Sequence, residues 1–387
     1  MFEDFATAAM DHDGSTQLNG IAATTSMVPG QSSHLQANNQ LLTGIRPEVV
    51  IQAPESHHRV KHPSQQHKWR QHAGGNRFFC NGRVLMSKQC SIFLLTVFLI
   101  LFTMTMFCMF DLPYLITHIP IQPLRLSLPF VTAFLFLLAM VNLFKTSFSD
   151  PGILPRASMR EVVEMERQFN ENQTAYNKME WSQPKTKLIQ VRGQTIKLKY
   201  CFTCCVFRPP RSSHCSVCDN CVLNFDHHCP WVGNCIGLRN YRHFYFFITI
   251  LSLLDTFMGA CVIVHLTMLT NEKGTFLDAI KESPPSLFTG LINVISIWSI
   301  LGLSGFHTYL LAINQTTNED IKGTFNSKLR PPIVNPYSSH NFFKNCCSIL
   351  CAPEPPSLLD GHGLVNASRE VVIDADLLAQ LSLLKAI

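Results

Sequence analysis

Four apolar runs, at about 91–110, 126–144, 244–268 and 287–313, constrain most strongly what this chain can fold into. Each is long enough to cross a hydrocarbon core of roughly 30 Å as a helix. Lipid offers no hydrogen-bond partner to the backbone, so runs of this length must satisfy their own polar groups internally, as helices do. They also account for a chain that is 47% hydrophobic, with a mean hydropathy of +0.13, despite long polar ends. A soluble globular enzyme is thereby excluded. The expected fold class is a polytopic α-helical membrane protein with four transmembrane helices and a small cysteine-rich domain of short strands and loops on the cytosolic side.

Lysine and arginine orient the spans. The segment before the first run carries 8, residues 145–243 carry 14 and the tail after 313 carries 6, while the loops at 111–125 and 269–286 carry 1 and 2. Basic residues collect on the cytosolic face, so both termini and the 145–243 loop are expected in the cytosol. The sequons at Asn172, Asn314 and Asn366 would then escape glycosylation. No cleavable leader is expected, because the first apolar run begins near 91 and is long enough to span. Residues 1 to about 75, rich in Ser, Gln, His, Asn and Ala without an apolar period, are expected to be disordered.

The thirty-five residues from Cys201 to Cys235 hold eight of the fifteen cysteines, together with His214, His227 and His228. Two C-x2-C pairs, Cys201/Cys204 and Cys215/Cys218, have the spacing of tetrahedral zinc sites, and each pair needs two further ligands. Two ions would use eight of the eleven candidates. Cys205, beside a pair, is supernumerary, which leaves Cys229 and one histidine. Neighbouring side chains in an extended segment point to opposite sides, so one of His227 and His228 can face a metal while the other faces away, with Asp226 close by to orient it. An imidazole held by a carboxylate is the usual means of making a thiol nucleophilic near neutral pH. Thiols at this density also suit a reducing, cytosolic setting.

The run Asp226-His227-His228-Cys229 resembles the signature of the DHHC family of protein S-acyltransferases. The likeness extends through Arg208-Pro209-Pro210-Arg211, Ser213-His214-Cys215, Cys218-Asp219-Asn220-Cys221, Pro230-Trp231-Val232-Gly233-Asn234-Cys235 and Asn240-Tyr241. It implies one structural zinc on Cys201, Cys204, His214 and Cys221 and a second on Cys215, Cys218, His228 and Cys235. It also implies Cys229 as the acyl-accepting nucleophile, His227 as its base and Asp226 as the orienting carboxylate. Palmitoyl-CoA would be the acyl donor, in a cavity formed by all four helices, and cysteines of membrane-associated proteins the acceptors. Thr316-Thr317-Asn318-Glu319 matches the family's TTxE motif. Taken alone it is a helix N-cap pattern, but the likeness gives one of its threonines a hydrogen bond to Asp226. Asn335-Pro336-Tyr337 and Asn345 resemble the family's C-terminal segment, with Asn341 as a second choice for its structural asparagine. Glycines usual there are replaced by His340 and Ala352. Ser304-Gly305-Phe306-His307-Thr308-Tyr309 and residues 314–323 are most similar to the branch containing Golgi-resident Ras-type acyltransferases, which implies the Golgi or endoplasmic reticulum and an accessory subunit. No nucleic-acid partner is expected. The alternative is a membrane-tethered zinc scaffold without catalysis.

The organisation expected from these signals is a cytosolic, largely disordered segment over 1–88 and two spans over 89–146. A cytosolic loop over 147–242 follows, with its cysteine-rich domain at about 199–242, then two spans over 243–313 and a cytosolic tail over 314–387. Within the loop, Asp150-Pro151-Gly152 should stop the second span. Residues 158–175 look helical, and 187–200 form a hairpin about Arg192-Gly193. Asp255, His265, Asn293 and His307 are expected to hydrogen-bond between helices rather than line a transport path. Gly302 and Gly305 are expected to permit close packing. Cys346, Cys347 and Cys351 are either acylated or membrane-facing, and Leu377, Leu378, Leu381 and Leu384 suggest an amphipathic tail.

Overall fold

The computed structural model describes residues 67–172, 186–325 and 333–359. The disorder expected before 67 and the amphipathic tail lie outside the described residues. Among the described residues four helices are long and apolar enough to span: α1 (Ser91–His118), α2 (Gln122–Phe148), α4 (Tyr241–Lys273) and α6 (Pro284–Ile313). All four outrun the apolar stretches that specify them. The first passes through a π-helical turn at Phe107–Asp111, which carries Asp111 inside the helix rather than into the loop expected at 111–125. There Asp111 is fully buried and meets His265 Nδ1 at 2.8 Å. At its far end α4 stops at Gly274, whose φ of 89° favours glycine. A short helix, α5 (Phe276–Glu282), then starts on Thr275, whose hydroxyl accepts from Asp278 N.

Polar side chains within the spans tie helices together. The Ser296 hydroxyl donates to Asp255 at 2.8 Å, and the Tyr241 hydroxyl lies 3.1 Å from His307 Nδ1. Gly302 and Gly305 correct an expectation, since neither has a neighbour within 4 Å of where a Cβ would stand. They fall outside the buried stripe of α6, which runs through Ser286, Thr289, Asn293, Ser304, His307, Leu310 and Leu311. Gly259 and Gly290 stand at the α4–α6 contact instead, against Asn293 at 3.8 Å and Val262 at 3.3 Å.

The loop between α2 and α4 carries a helix, α3 (Met159–Asn172), whose start is secured by reciprocal bonds between Ser158 and Glu161. Strands β3 (Thr186–Val191) and β4 (Gln194–Cys201) form the expected hairpin, turning on Arg192 and Gly193 with φ of 47° and 78°. A two-residue turn with both φ positive matches the twist of the flanking strands. Five short strands follow: β5 (Val206–Phe207) on β4, the pair β6 (Ser213–Cys215) and β7 (Asn220–Val222), and the pair β8 (His227–Cys229) and β9 (Asn234–Ile236). None is long enough to make a core of its own.

Just before α1, within the segment expected to be largely disordered over 1–88 and beyond its polar stretch to about 75, the chain is ordered. Strands β1 (Asn76–Phe79) and β2 (Val84–Ser87) form a hairpin. Backbone and amide bonds dock it on the cysteine-rich domain: Gly75 N donates to Cys218 O at 2.6 Å, Ser87 N to Gly233 O at 3.0 Å and Asn220 Nδ2 to Asn76 Oδ1 at 2.6 Å. Among the described residues two short helices follow α6, α7 (Thr317–Ile321) directly after it and α8 (Phe342–Leu350). Beyond α8, Leu358 and Leu359 pack against the two clusters of buried residues that contain the paired cysteines.

Side-chain amides fasten the cysteine-rich domain to the helices. Asn234 Nδ2 donates to the carbonyls of Thr146, Ser147 and Ser149 at the end of α2. Asn240, immediately before α4, donates to Thr146 O at 3.1 Å and Cys235 O at 2.8 Å. The Thr96 hydroxyl of α1 donates to Trp231 O at 2.9 Å. Asp150 accepts from Gly152 N and Ile153 N through one oxygen and from Arg239 through the other, so the turn after α2 is also a joint between helix and domain.

Candidate active site and metal clusters

Two groups of four cysteine and histidine side chains converge within the domain: Cys201, Cys204, His214 and Cys221 in one, and Cys215, Cys218, His228 and Cys235 in the other. They interlock because β6 has period two, so His214 faces the first group and Cys215 the second. Across the ladder His214 pairs with Cys221, and on the next one His228 pairs with Cys235. In the first group His214 Nδ1 lies 3.5 Å from Cys201 Sγ and Cys204 Sγ and 3.7 Å from Cys221 Sγ. In the second, His228 Nδ1 is 3.5 Å from Cys218 Sγ and Cys235 Sγ, and those sulfurs are 3.5 Å apart. Disulfide sulfurs sit about 2.0 Å apart, so these are thiols. Metal–sulfur and metal–nitrogen bonds of roughly 2.3 and 2.0 Å imply tetrahedral edges of about 3.5–3.8 Å. Both clusters therefore fit a metal ion. Cys205 stays outside them, its Sγ against Phe202 O at 3.3 Å.

The strand β8 carries both chemistries. His228 points into the second cluster, and by the alternation of a strand His227 and Cys229 share the opposite face. His227 Nδ1 lies 2.7 Å from Asp226 Oδ2, and the imidazole also interacts with the Cys229 thiol. Burial alone would lower the His227 pKa, but the bonds to Asp226 and Cys229 outweigh it and push it up to about 10. Burial likewise opposes ionisation of Asp226, yet its hydrogen bonds from His227 and Thr317 and the charges near it hold it at about 2. This carboxylate has no exposure. Beneath Cys229 lies an apolar wall supplied by all four spans, with Phe93, Met140, Leu143 and Phe244 buried in it and Leu303 packed alongside.

Of the TTxE residues, Thr317 reaches the carboxylate. Its backbone N donates to Asp226 Oδ1 at 2.8 Å and its hydroxyl to Oδ2 at 2.7 Å. Thr316 is the N-cap of α7, completing a capping box with Glu319. Both readings of the motif hold at once, on adjacent threonines. Glu319 has a second partner that the sequence reading gave no role, Arg211, whose Nε and Nη2 bond its two oxygens at 2.9 and 2.7 Å. The Arg211 guanidinium also donates to Asn314 and lies 4.6 Å from the Tyr337 ring centre. Asn345 is buried, donates to Ala312 O at 2.8 Å and accepts from Ser339, which anchors α8 to the end of α6. Asn341 caps α8. His307, read only as a helix-packing residue, stands beside His227 with ring centres 5.9 Å apart. The one sequence signal for it was a histidine inside an apolar run.

Residues 194–324 match the family model for the DHHC palmitoyltransferase. The chain is 50% identical over 314 residues to "Palmitoyltransferase ZDHHC18-A" of Danio rerio, covering 80% of this chain and 65% of that one. With "Palmitoyltransferase ZDHHC14" of Homo sapiens it shares 50% over 312 residues, 81% of this chain and 63% of that one. With "Palmitoyltransferase ZDHHC18" of Mus musculus it shares 52% over 302 residues, 78% and 77% of the two. It thus spans a little under two thirds of the first two relatives and over three quarters of the third. On the strength of that coverage and identity, together with four spans and the paired metal clusters, this chain belongs to the DHHC palmitoyltransferase family.

Proposed function

We propose that the chain is a protein S-palmitoyltransferase that passes a long-chain acyl group from palmitoyl-CoA through Cys229 to cysteines of membrane-associated proteins. The observation that carries the reading is β8, which sends His228 to a metal cluster while turning His227, bonded to Asp226, and Cys229 to the other side. In the first step the Cys229 sulfur, its proton taken by His227, attacks the thioester carbonyl. A carbon–sulfur bond forms to Cys229, the bond to coenzyme A breaks, and the departing sulfur takes the proton back from His227. In the second step the acceptor cysteine gives its proton to His227 and attacks the Cys229 thioester, which leaves as the sulfur that His227 reprotonates. One thioester replaces another, so the site needs activation and proximity rather than an energy source.

Zinc is the ion proposed for both clusters, since three thiolates and an imidazole form a closed tetrahedral donor set. Bound there, zinc would supply no chemistry to the reaction and would hold β6–β9 in place. Asp226, ionised at neutral pH, keeps the His227 ring oriented, and Thr317 keeps Asp226 oriented. Glu319 and Asn345 support α7 and α8 around them. The apolar wall of four helices below Cys229 suits an acyl tail, where each buried methylene contributes about 0.8 kcal/mol. The excess of basic residues before α1, between α2 and α4 and after α6 supports a topology with both termini in the cytosol. Similarity to the Golgi Ras-type branch supports residence in the Golgi or endoplasmic reticulum with an accessory subunit.

The test is label transfer from a palmitoyl-CoA analogue to the purified chain. Wild type should take up label that hydroxylamine releases and that passes to a substrate cysteine, whereas Cys229→Ser should show less than about 1% of it. Equal labelling of the variant would place the acyl group on other cysteines and leave the zinc scaffold as the better reading.

A further inference from the structure

His307 stands beside the dyad yet has no part in the two steps above. It is buried on α6, at 1% exposure, with its ring edge-on to Phe244 at 5.0 Å. Its Nδ1 is engaged by the Tyr241 hydroxyl at 3.1 Å, which leaves Nε2 as the nitrogen available for another partner. One ligating atom from each of Asp226, His227 and His307 lies within 4.8 Å of the other two. Two imidazoles and a carboxylate at that separation form a donor set suited to a divalent ion of the zinc type. A histidine ligand is commonly oriented by a hydrogen bond from its other ring nitrogen, and the Tyr241 oxygen is placed to accept one from His307. Thiolates fill six of the eight positions in the structural clusters and none of the three here. An ion at this third position would therefore be held less tightly and would exchange.

We propose that Asp226, His227 and His307 form a third, exchangeable site for a divalent cation, and that Zn2+ bound there switches the enzyme off. The ion takes the place of the proton shared between His227 and Asp226, which is released to solvent, and it occupies the imidazole on which Cys229 depends. The switching role rests on the acyl-transfer reading, whereas the site itself does not.

The experiment uses the full chain purified in detergent micelles with its two structural zincs. It is exposed to increasing ZnCl2 without chelator, then desalted, and zinc per chain is measured by mass spectrometry alongside Cys229 acylation by a fluorescent palmitoyl-CoA analogue. Wild type should retain a third equivalent, and its acylation should fall at least ten-fold as that equivalent fills. His307→Gln should stop at two equivalents, with acylation changing less than two-fold from its own zinc-free rate. Tyr241→Phe should fill the third position only at several-fold higher zinc. A wild type that stays at two equivalents overturns the proposal, as does a third equivalent kept by His307→Gln. Should His307→Gln lose its structural zincs through misfolding, Tyr241→Phe decides, and an unchanged third affinity there overturns the site. A third equivalent lost in His307→Gln, with no Cys229-dependent acylation in any sample, upholds the cation site and overturns both its switching role and the acyl-transfer reading.

Discussion

At the scale of single residues, the Asp226 carboxylate is the point on which the site turns. It is buried and accepts from His227, from the Thr317 hydroxyl and from Thr317 N. Thr317→Val removes the hydroxyl bond but leaves the backbone bond, so Asp226 remains ionised and less firmly aimed. Acyl-enzyme formation is expected to slow roughly ten-fold, with bound zinc unchanged, by the usual size of effects from groups that orient a functional side chain. Thr316→Val should instead destabilise α7 by about 1 kcal/mol through its lost cap, and a thermal melt of each variant separates the two threonines. Arg211 and Glu319 are both nearly inaccessible, at 5% and 7% side-chain exposure. Arg211→Ala strands a buried carboxylate, and about 3–5 kcal/mol of stability should disappear, measurable as a lower unfolding midpoint. Much of this was legible from the chain itself. The alternation of His227, His228 and Cys229 follows from strand geometry, and the paired cysteines announce metal ligands by spacing. Arg211 was visible only as a member of a motif, because its partner lies 108 positions away.

Elements of two or three residues cannot sustain themselves, and that governs the cysteine-rich domain. Its ladders β6–β7 and β8–β9 span three residue pairs each, far below what a hairpin needs to persist alone in water. Metal is the expected source of their stability, since binding free energy in such sites is folding free energy. Treatment with a strong chelator such as TPEN should therefore abolish Cys229 acylation and make the 186–240 region newly sensitive to protease, while the α1–α2 and α4–α6 segments stay protected in the micelle. Survival of a protease-resistant domain after complete zinc loss would overturn this account. The ordered hairpin β1–β2 belongs to the same scale. It lies just beyond the polar stretch that ends near 75, and its order comes with backbone bonds to Cys218 and Gly233 that a composition cannot register.

On the scale of the whole molecule, the spans and the domain are one piece of machinery. The wall beneath Cys229 draws on all four helices, and Asn234, Asn240 and Thr96 hold the domain against them. Topology is the property to test here. An epitope tag inserted at 274–275, between α4 and α5, should be reachable by antibody only after the internal membranes are permeabilised, whereas a tag at the C-terminus should be reachable once the plasma membrane alone is opened. Equal access to both would overturn the orientation argued from lysine and arginine. From the sequence came the number of spans, the two C-x2-C pairs with their need for two further ligands each, and the pairing of Cys229 with one of two histidines, because each depends on local composition, spacing or strand period; which residues complete each pair came from the family resemblance. Tertiary structure alone decided which threonine meets Asp226, that Arg211 answers Glu319, that Asp111 lies within α1 against His265, and that His307 rather than Gly302 or Gly305 faces inward. Those outcomes depend on how far each helix is rotated and where chain segments some hundred residues apart come to rest, and no local pattern encodes either.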